Sequence, residues 1–128
     1  MNKHLPKIII ETISHNKNRY DTVGDYYKIG KDWRITSSKM TADMEFCVII
    51  HELVEWYLTQ KRGIKEKDIT SFDIQFEKNR KKCNLDEPGD DKRAPYYNEH
   101  QIATLFEKEM ARFLKVNWKK YTNTVNKL

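Results

Sequence analysis

The hydrophobic positions change their period once along the chain. Lys7–Ser14 carries Ile8, Ile9, Ile10, Thr12 and Ile13, a concentration of β-branched side chains that predicts a strand. Tyr26–Ile29 and Trp33–Thr36 are two more short runs, and they flank Gly30-Lys31-Asp32, which supplies the glycine a hairpin turn needs. Asp21-Thr22-Val23-Gly24-Asp25 predicts another turn. The N-terminal part should therefore form a small antiparallel β-sheet. From about Thr41 the spacing becomes helical. Thr41 or Asp43 can cap the start, Asp43 and Glu45 suit the first turn, and Gly63 offers a stop after about Arg62. A second helix is expected over Asp68–Lys82, with Ile69, Phe72 and Phe76 on one side. The irregular stretch Asn84–Tyr97 contains Glu87-Pro88-Gly89-Asp90, whose central Pro-Gly pair suits a type II turn. A third helix follows from Tyr97 or Asn98 to Leu114, then a short tail with Trp118 and Tyr121. Hairpins first and three helices after predict an α+β architecture, and 128 residues fit a single domain.

The first helix is unusual. Cys47, Val48, Ile49, Ile50, Leu53, Val54, Trp56, Tyr57 and Leu58 spread around nearly its whole circumference, which predicts a central, buried helix. Yet with His51 at zero, Glu55 falls at about 40°, Thr59 at about 80° and Glu52 at about 100°. The ionisable groups share one arc. A buried charge must be neutralised, paired or bound to a metal, because its isolated cost exceeds the stability of a small domain. His51 and Glu55 are one turn apart and within reach of a single ion, and Glu52 is offset so that it can address a water beside that ion. The stretch His51-Glu52-Leu53-Val54-Glu55 thus has the mechanical logic of the HExxH zinc motif, with Glu in place of the second His.

A metal needs further protein ligands, and the third helix offers His100. Glu107, seven residues on, nearly eclipses it, and both sit at the edge of an apolar arc made by Ile102, Ala103, Leu105, Phe106, Met110 and Phe113. His51, Glu55, His100 and Glu107 are the candidate metal ligands, Glu52 the candidate catalytic base, and zinc or another divalent transition metal the expected cofactor. Asp73 and Glu77, also one turn apart, are candidates for a second ion, although Thr70-Ser71-Phe72-Asp73 suits a helix start and Glu77 a surface pair with Lys81. Tyr96 and Tyr97 lie close enough to His100 in sequence to donate to a developing oxyanion. His4 and His15 lack helical partners.

Composition narrows the class. Charged residues are 34% and hydrophobic ones 38%, with three Trp, seven Tyr and five Phe, so the chain can bury a core without cross-links. Cys47 and Cys83 form no CxxC pair, and Cys47 reads as a small core residue. No secretory or membrane-length segment is visible, which predicts a cytoplasmic protein without a membrane partner. The net charge of +5 is partly local, in Lys78, Arg80, Lys81 and Lys82 and more sparsely in Lys115, Lys119, Lys120 and Lys127. A nucleic-acid partner is conceivable from charge alone, but no recognition motif accompanies these residues, and solvated helix ends are the favoured explanation. The four glycines are scattered and make no phosphate-binding loop.

On the hairpin, the buried helix with HELVE and a later helix with His100, the segment Tyr26–Leu114 resembles a minimal zincin-type metalloprotease domain. The chain also resembles a small group of uncharacterised bacterial and phage-type proteins that share HELxE and a later EPGD…PY…H segment, here Glu87–Asp90, Pro95-Tyr96 and His100. The zincin resemblance implies zinc on His51, Glu52 as general base and a peptide or amide substrate, and Glu55 stands where that family has its second His. A metal-dependent hydrolase is the leading expectation. Alternatives are a Mg²⁺-dependent, nucleotide pyrophosphatase-like enzyme built on Glu52, Glu55, Asp73, Glu77 and Glu107, and a non-catalytic, metal-stabilised interaction module.

Overall fold

The computed structural model describes residues 4–81 and 84–128. Three strands, β1 (Ile8–Ile13), β2 (Gly24–Ile29) and β3 (Asp32–Ser38), precede four helices, α1 (Ala42–Lys61), α2 (Glu66–Lys78), α3 (Tyr97–Phe113) and α4 (Trp118–Asn126). The α+β architecture and its order follow the sequence patterns. β2 and β3 form the expected hairpin, with Ile29 opposite Asp32 and Gly30 at a φ of 60° that only glycine adopts freely. The sheet order is β1-β3-β2, and β1 runs parallel to β3, with Ile8 beside Trp33 and Ile13 beside Ser38. The sheet is therefore mixed rather than antiparallel. The connection from β1 passes through a short 3-10 turn at His15–Lys17 and enters β2 along the far side of β3. Strand propensity reports that a segment is extended, not which neighbour it will pair with.

α1 begins at the cap Thr41, whose hydroxyl accepts from the Met44 amide, and stops before Gly63 at a φ of 74°. It lies on the sheet and pairs antiparallel with α3: Arg62 near its end grips Glu99 at the start of α3, while Met44, Cys47 and Val48 meet Ala111 near the end of α3. The expectation of burial all round is corrected here. Phe46 is 45% and Tyr57 38% exposed, whereas the inward face carries Met44, Cys47, Val48, His51, Glu55, Trp56 and Thr59. The polar arc faces in and part of the apolar arc faces out.

Two apolar clusters flank that polar arc. Tyr26, Trp33, Ile35, Trp56, Ile69, Ala94 and Tyr96 join the sheet to α1, α2 and the loop before α3, with the Trp33 and Trp56 rings 5.7 Å apart. Met44, Cys47, Val48, Ala111 and Tyr121 join α1, α3 and α4. His51 and Glu55 fall between the two sets along α1, and His100 and Glu107 between them along α3.

The short tail expected after Leu114 is itself helical and forms α4. α3 ends with Lys115 at a φ of 58°, and Val116 N donates to Ala111 O, closing a left-handed cap without glycine. Asn117 then caps α4 by accepting from Lys120 N. Pro88–Asp90 is a 3-10 turn closed by Asp90 N donating to Glu87 O, and Gly89 is not in the left-handed region that a type II turn requires. Among the described residues no helix is long and apolar enough to cross a membrane. Lys82 and Cys83 lie outside the described residues, so the basic cluster is seen only in part; within it Arg80 is engaged by Glu77.

Ala111 is 2% exposed where α1, α3 and α4 meet. Ala111→Leu should overpack this junction and destabilise the fold by about 1–3 kcal/mol. Urea denaturation measures this as a lower midpoint at constant slope, and an unchanged midpoint would show the junction to be slack.

Candidate metal centre

α1 and α3 bring three donor atoms together. His51 Nε2 is 3.0 Å from Glu55 Oε2 and 3.1 Å from His100 Nδ1, and His100 Nδ1 is 2.8 Å from the same Glu55 oxygen. All three residues are buried. Their opposite ends are held by other elements. Glu107 Oε1 lies 2.7 Å from His51 Nδ1, and Tyr121 of α4 donates to Glu107 Oε2 at 2.6 Å. Tyr26 of β2 donates to Glu55 Oε1 at 2.8 Å. A carboxylate only accepts, so Glu107 places the hydrogen of a neutral His51 on Nδ1 and leaves the Nε2 lone pair aimed at the centre.

Three electron-rich atoms so close together repel unless something positive lies among them. Burial alone would raise the Glu55 carboxyl, but hydrogen bonds from His100 and His51 outweigh it and bring it down to about 2. Burial alone would also lower both imidazoles. Glu107 and Glu55 instead hold His51 well above the usual histidine range, and Asp90, Glu55 and Glu87 do the same for His100. The centre therefore demands cationic charge, which protons or a metal ion can supply. The donor set fits a metal. Bonds of about 2.0–2.1 Å at tetrahedral angles put ligand atoms about 3.3 Å apart, a few tenths of an ångström wider than the spacing observed.

Glu52 stands beside this triangle with Oε2 3.9 Å from His51 Nε2. Gly24 of β2 makes room for it, since a Cβ there would lie 2.7 Å from Glu52 Cγ and from Val48 Cγ1. Burial first, and then the nearby Glu55 charge, push the Glu52 carboxyl well above the usual range. A cleft of about 560 Å³ opens over Glu52, His51 and His100, with Gln101, Thr104 and Lys108 on its α3 wall.

Of the sequence-predicted ligands, His51, Glu55 and His100 converge, whereas Glu107 meets the far nitrogen of His51 and lies outside the triangle. The proposed Asp73–Glu77 pair does not assemble. Asp73 is buried and accepts from Tyr20 at 2.9 Å and from Tyr96, while Glu77 is gripped by Arg80 rather than Lys81. Tyr96 is thereby committed to Asp73, and Tyr97 packs against the core. The carboxylates considered for Mg²⁺ thus do not form one cluster among the described residues. His15 bridges Ser38 and Asp21, and His4 is exposed.

Sequence reasoning missed Tyr26, Tyr121, Glu87 and Asp90. Tyr26 had a usable signal: it lies two residues from Gly24, so both point from β2 toward α1. Glu87 and Asp90 sit against His100 because Gly89 approaches its ring so closely that a Cβ would be 2.3 Å from His100 Cγ. Comparison of the chain with protein-family models, curated proteins and solved structures found no match.

Burial, opposed by the two tyrosine hydrogen bonds, raises the Asp73 carboxyl to about 7. A raised acid is protonated preferentially in the folded state, so its contribution to stability is full below the unfolded value near 4 and falls as pH rises toward about 7. Asp73→Asn should therefore gain on the parent protein by up to about 1.4 kcal/mol per pH unit across that window and level off above it. Paired urea titrations at pH 4.5, 6 and 7.5 (about one and a half units apart) test this; a stability difference independent of pH would remove Asp73 as the titrating group.

Proposed function

We propose that the protein is a metal-dependent hydrolase, with His51, Glu55 and His100 holding a divalent transition metal and Glu52 acting as general base. The supporting observation is the convergence of two imidazole nitrogens and one carboxylate oxygen within 3.1 Å of one another, on helices that bury them. Imidazole-rich donors favour zinc, iron and related ions over magnesium, and three protein donors with a side open to a cleft match catalytic rather than structural zinc sites. An ion there would supply Lewis-acid activation of water near neutral pH and polarisation of a substrate carbonyl.

The remaining work falls to the chain's own groups. Glu107 and Tyr121 keep His51 in one tautomer and one orientation. Tyr26 occupies the second Glu55 oxygen, leaving one oxygen for the ion. Glu52 has no competing hydrogen-bond partner among the described residues and faces the same cleft. Its carboxylate, 3.9 Å from His51 Nε2, is placed to accept the proton of the attacking water and return it to the leaving group. A peptide or amide substrate matches this chemistry.

Elemental analysis of protein purified without a polyhistidine tag should find about one zinc at the tight site, lost in His51→Ala. Glu52→Gln should retain the metal while lowering turnover of a peptide or amide substrate by about 10²–10⁴-fold. Full turnover in Glu52→Gln would remove Glu52 from the reaction, and metal-free protein that gains no stability from added zinc would reduce the centre to a buried polar network.

A further inference from the structure

His100 has two nitrogens, and only Nδ1 faces His51 and Glu55. Nε2 points the other way, to the turn formed by Glu87, Pro88, Gly89 and Asp90. It lies 3.0 Å from Glu87 Oε2 and 3.4 Å from Asp90 Oδ1, and the three atoms lie within 4.8 Å of one another. The nitrogen itself is shielded from water, on a residue only 5% exposed, yet has no aligned hydrogen-bond partner among the described residues. A buried imidazole nitrogen aimed between two carboxylates without a proper hydrogen bond to either is a donor waiting for an acceptor of electrons.

The turn is built to present those oxygens. Gly89 lets its backbone lie against the imidazole ring, and the Asp90 N–H to Glu87 carbonyl bond folds both side chains toward Nε2. Gln101 Nε2 donates to Asp90 Oδ1 at 3.2 Å and steadies that carboxylate. Glu87 and Asp90 side chains are 50% and 44% exposed, so they remain hydrated and add little desolvation cost to an ion bound there.

We propose that Glu87, Asp90 and His100 Nε2 form a second divalent-cation site, so that the His100 imidazole bridges two ions. The bridging role rests on the reading of His100 Nδ1 as a ligand at the buried centre. Two carboxylate oxygens and one imidazole nitrogen suit zinc or manganese, with water completing the coordination. An ion at Nε2 replaces the proton there, which leaves to solvent. Two ions on opposite sides of one imidazole are too far apart to clamp a shared oxygen, as the pairs in two-metal hydrolases do at about 3.5–4 Å. The outer ion is therefore modulatory: it fills at higher metal concentration and competes for the electron density that His100 gives the inner one.

Calorimetric titration of the metal-stripped full chain with zinc chloride tests this, alongside the Glu87→Gln/Asp90→Asn double variant and His51→Ala. The parent protein should bind two ions, the second at least about tenfold more weakly, as expected of a hydrated, partly exposed donor set. The double variant should bind one ion, the tight one, weakened by about tenfold because Glu87 and Asp90 also orient the His100 ring. His51→Ala should lose the tight event and keep the weak one. Two ions in the double variant, or a single ion in the parent protein that the double variant retains and His51→Ala loses, would overturn the outer site and leave the inner one standing. Absence of zinc binding in all three proteins would defeat both.

Discussion

His51 and Glu55 are turned inward on a helix whose outward side is partly apolar, and the surrounding structure is organised by the need to satisfy them. Left alone, either group would cost more than packing around it could return. Each is accordingly met by a partner from a different element: His100 and Glu107 from α3, Tyr26 from β2 and, through Glu107, Tyr121 from α4. The apolar clusters at the two ends of the α1–α3 contact fix the helices' separation, and the polar centre fixes their register, because a shift of one turn would break the contacts of His51 with Glu107 and His100 and of Glu55 with His100.

Charge at this centre is a matter of supply. The net charge of the chain is positive, yet the inner triangle and its neighbours Glu52 and Glu107 gather carboxylates around two imidazoles. Protons can fill the deficit, at the expense of leaving both histidines cationic side by side, 3.1 Å apart. One doubly charged ion on the Nε2, Nδ1 and Oε2 atoms would remove that conflict, since the same three atoms would then point at a common centre instead of at one another.

Much of this was legible in the sequence because helices have a fixed period. The one-turn spacing of His51 and Glu55, and the placement of His100 at the edge of an apolar arc, identified the three convergent residues. Angle alone misled over Glu107. Two turns separate it from His100, about 10 Å along the axis, so the two cannot share an ion; His51 lies between them and touches one with each nitrogen. Positions that depend on tertiary approach were invisible. Gly89 reads as a turn former but serves as clearance for an imidazole, and β1 reads as a strand without saying that it will lie parallel to β3. The end of α3 at Leu114 was legible even though a left-handed lysine, Lys115, takes the place of a glycine, but the nine residues of α4 were too few to announce a helix by their period.

Synthesis order adds a consequence to the Tyr121–Glu107–His51 chain of hydrogen bonds. Translation delivers β1 to β3 and α1 before α4, the last of the described helices. Until α4 docks, Glu107 lacks the hydroxyl that anchors its second oxygen, and the carboxylate that sets the His51 hydrogen on Nδ1 is itself free to turn. The last of the described helices thus acts as a latch on that carboxylate, and through it on the ring.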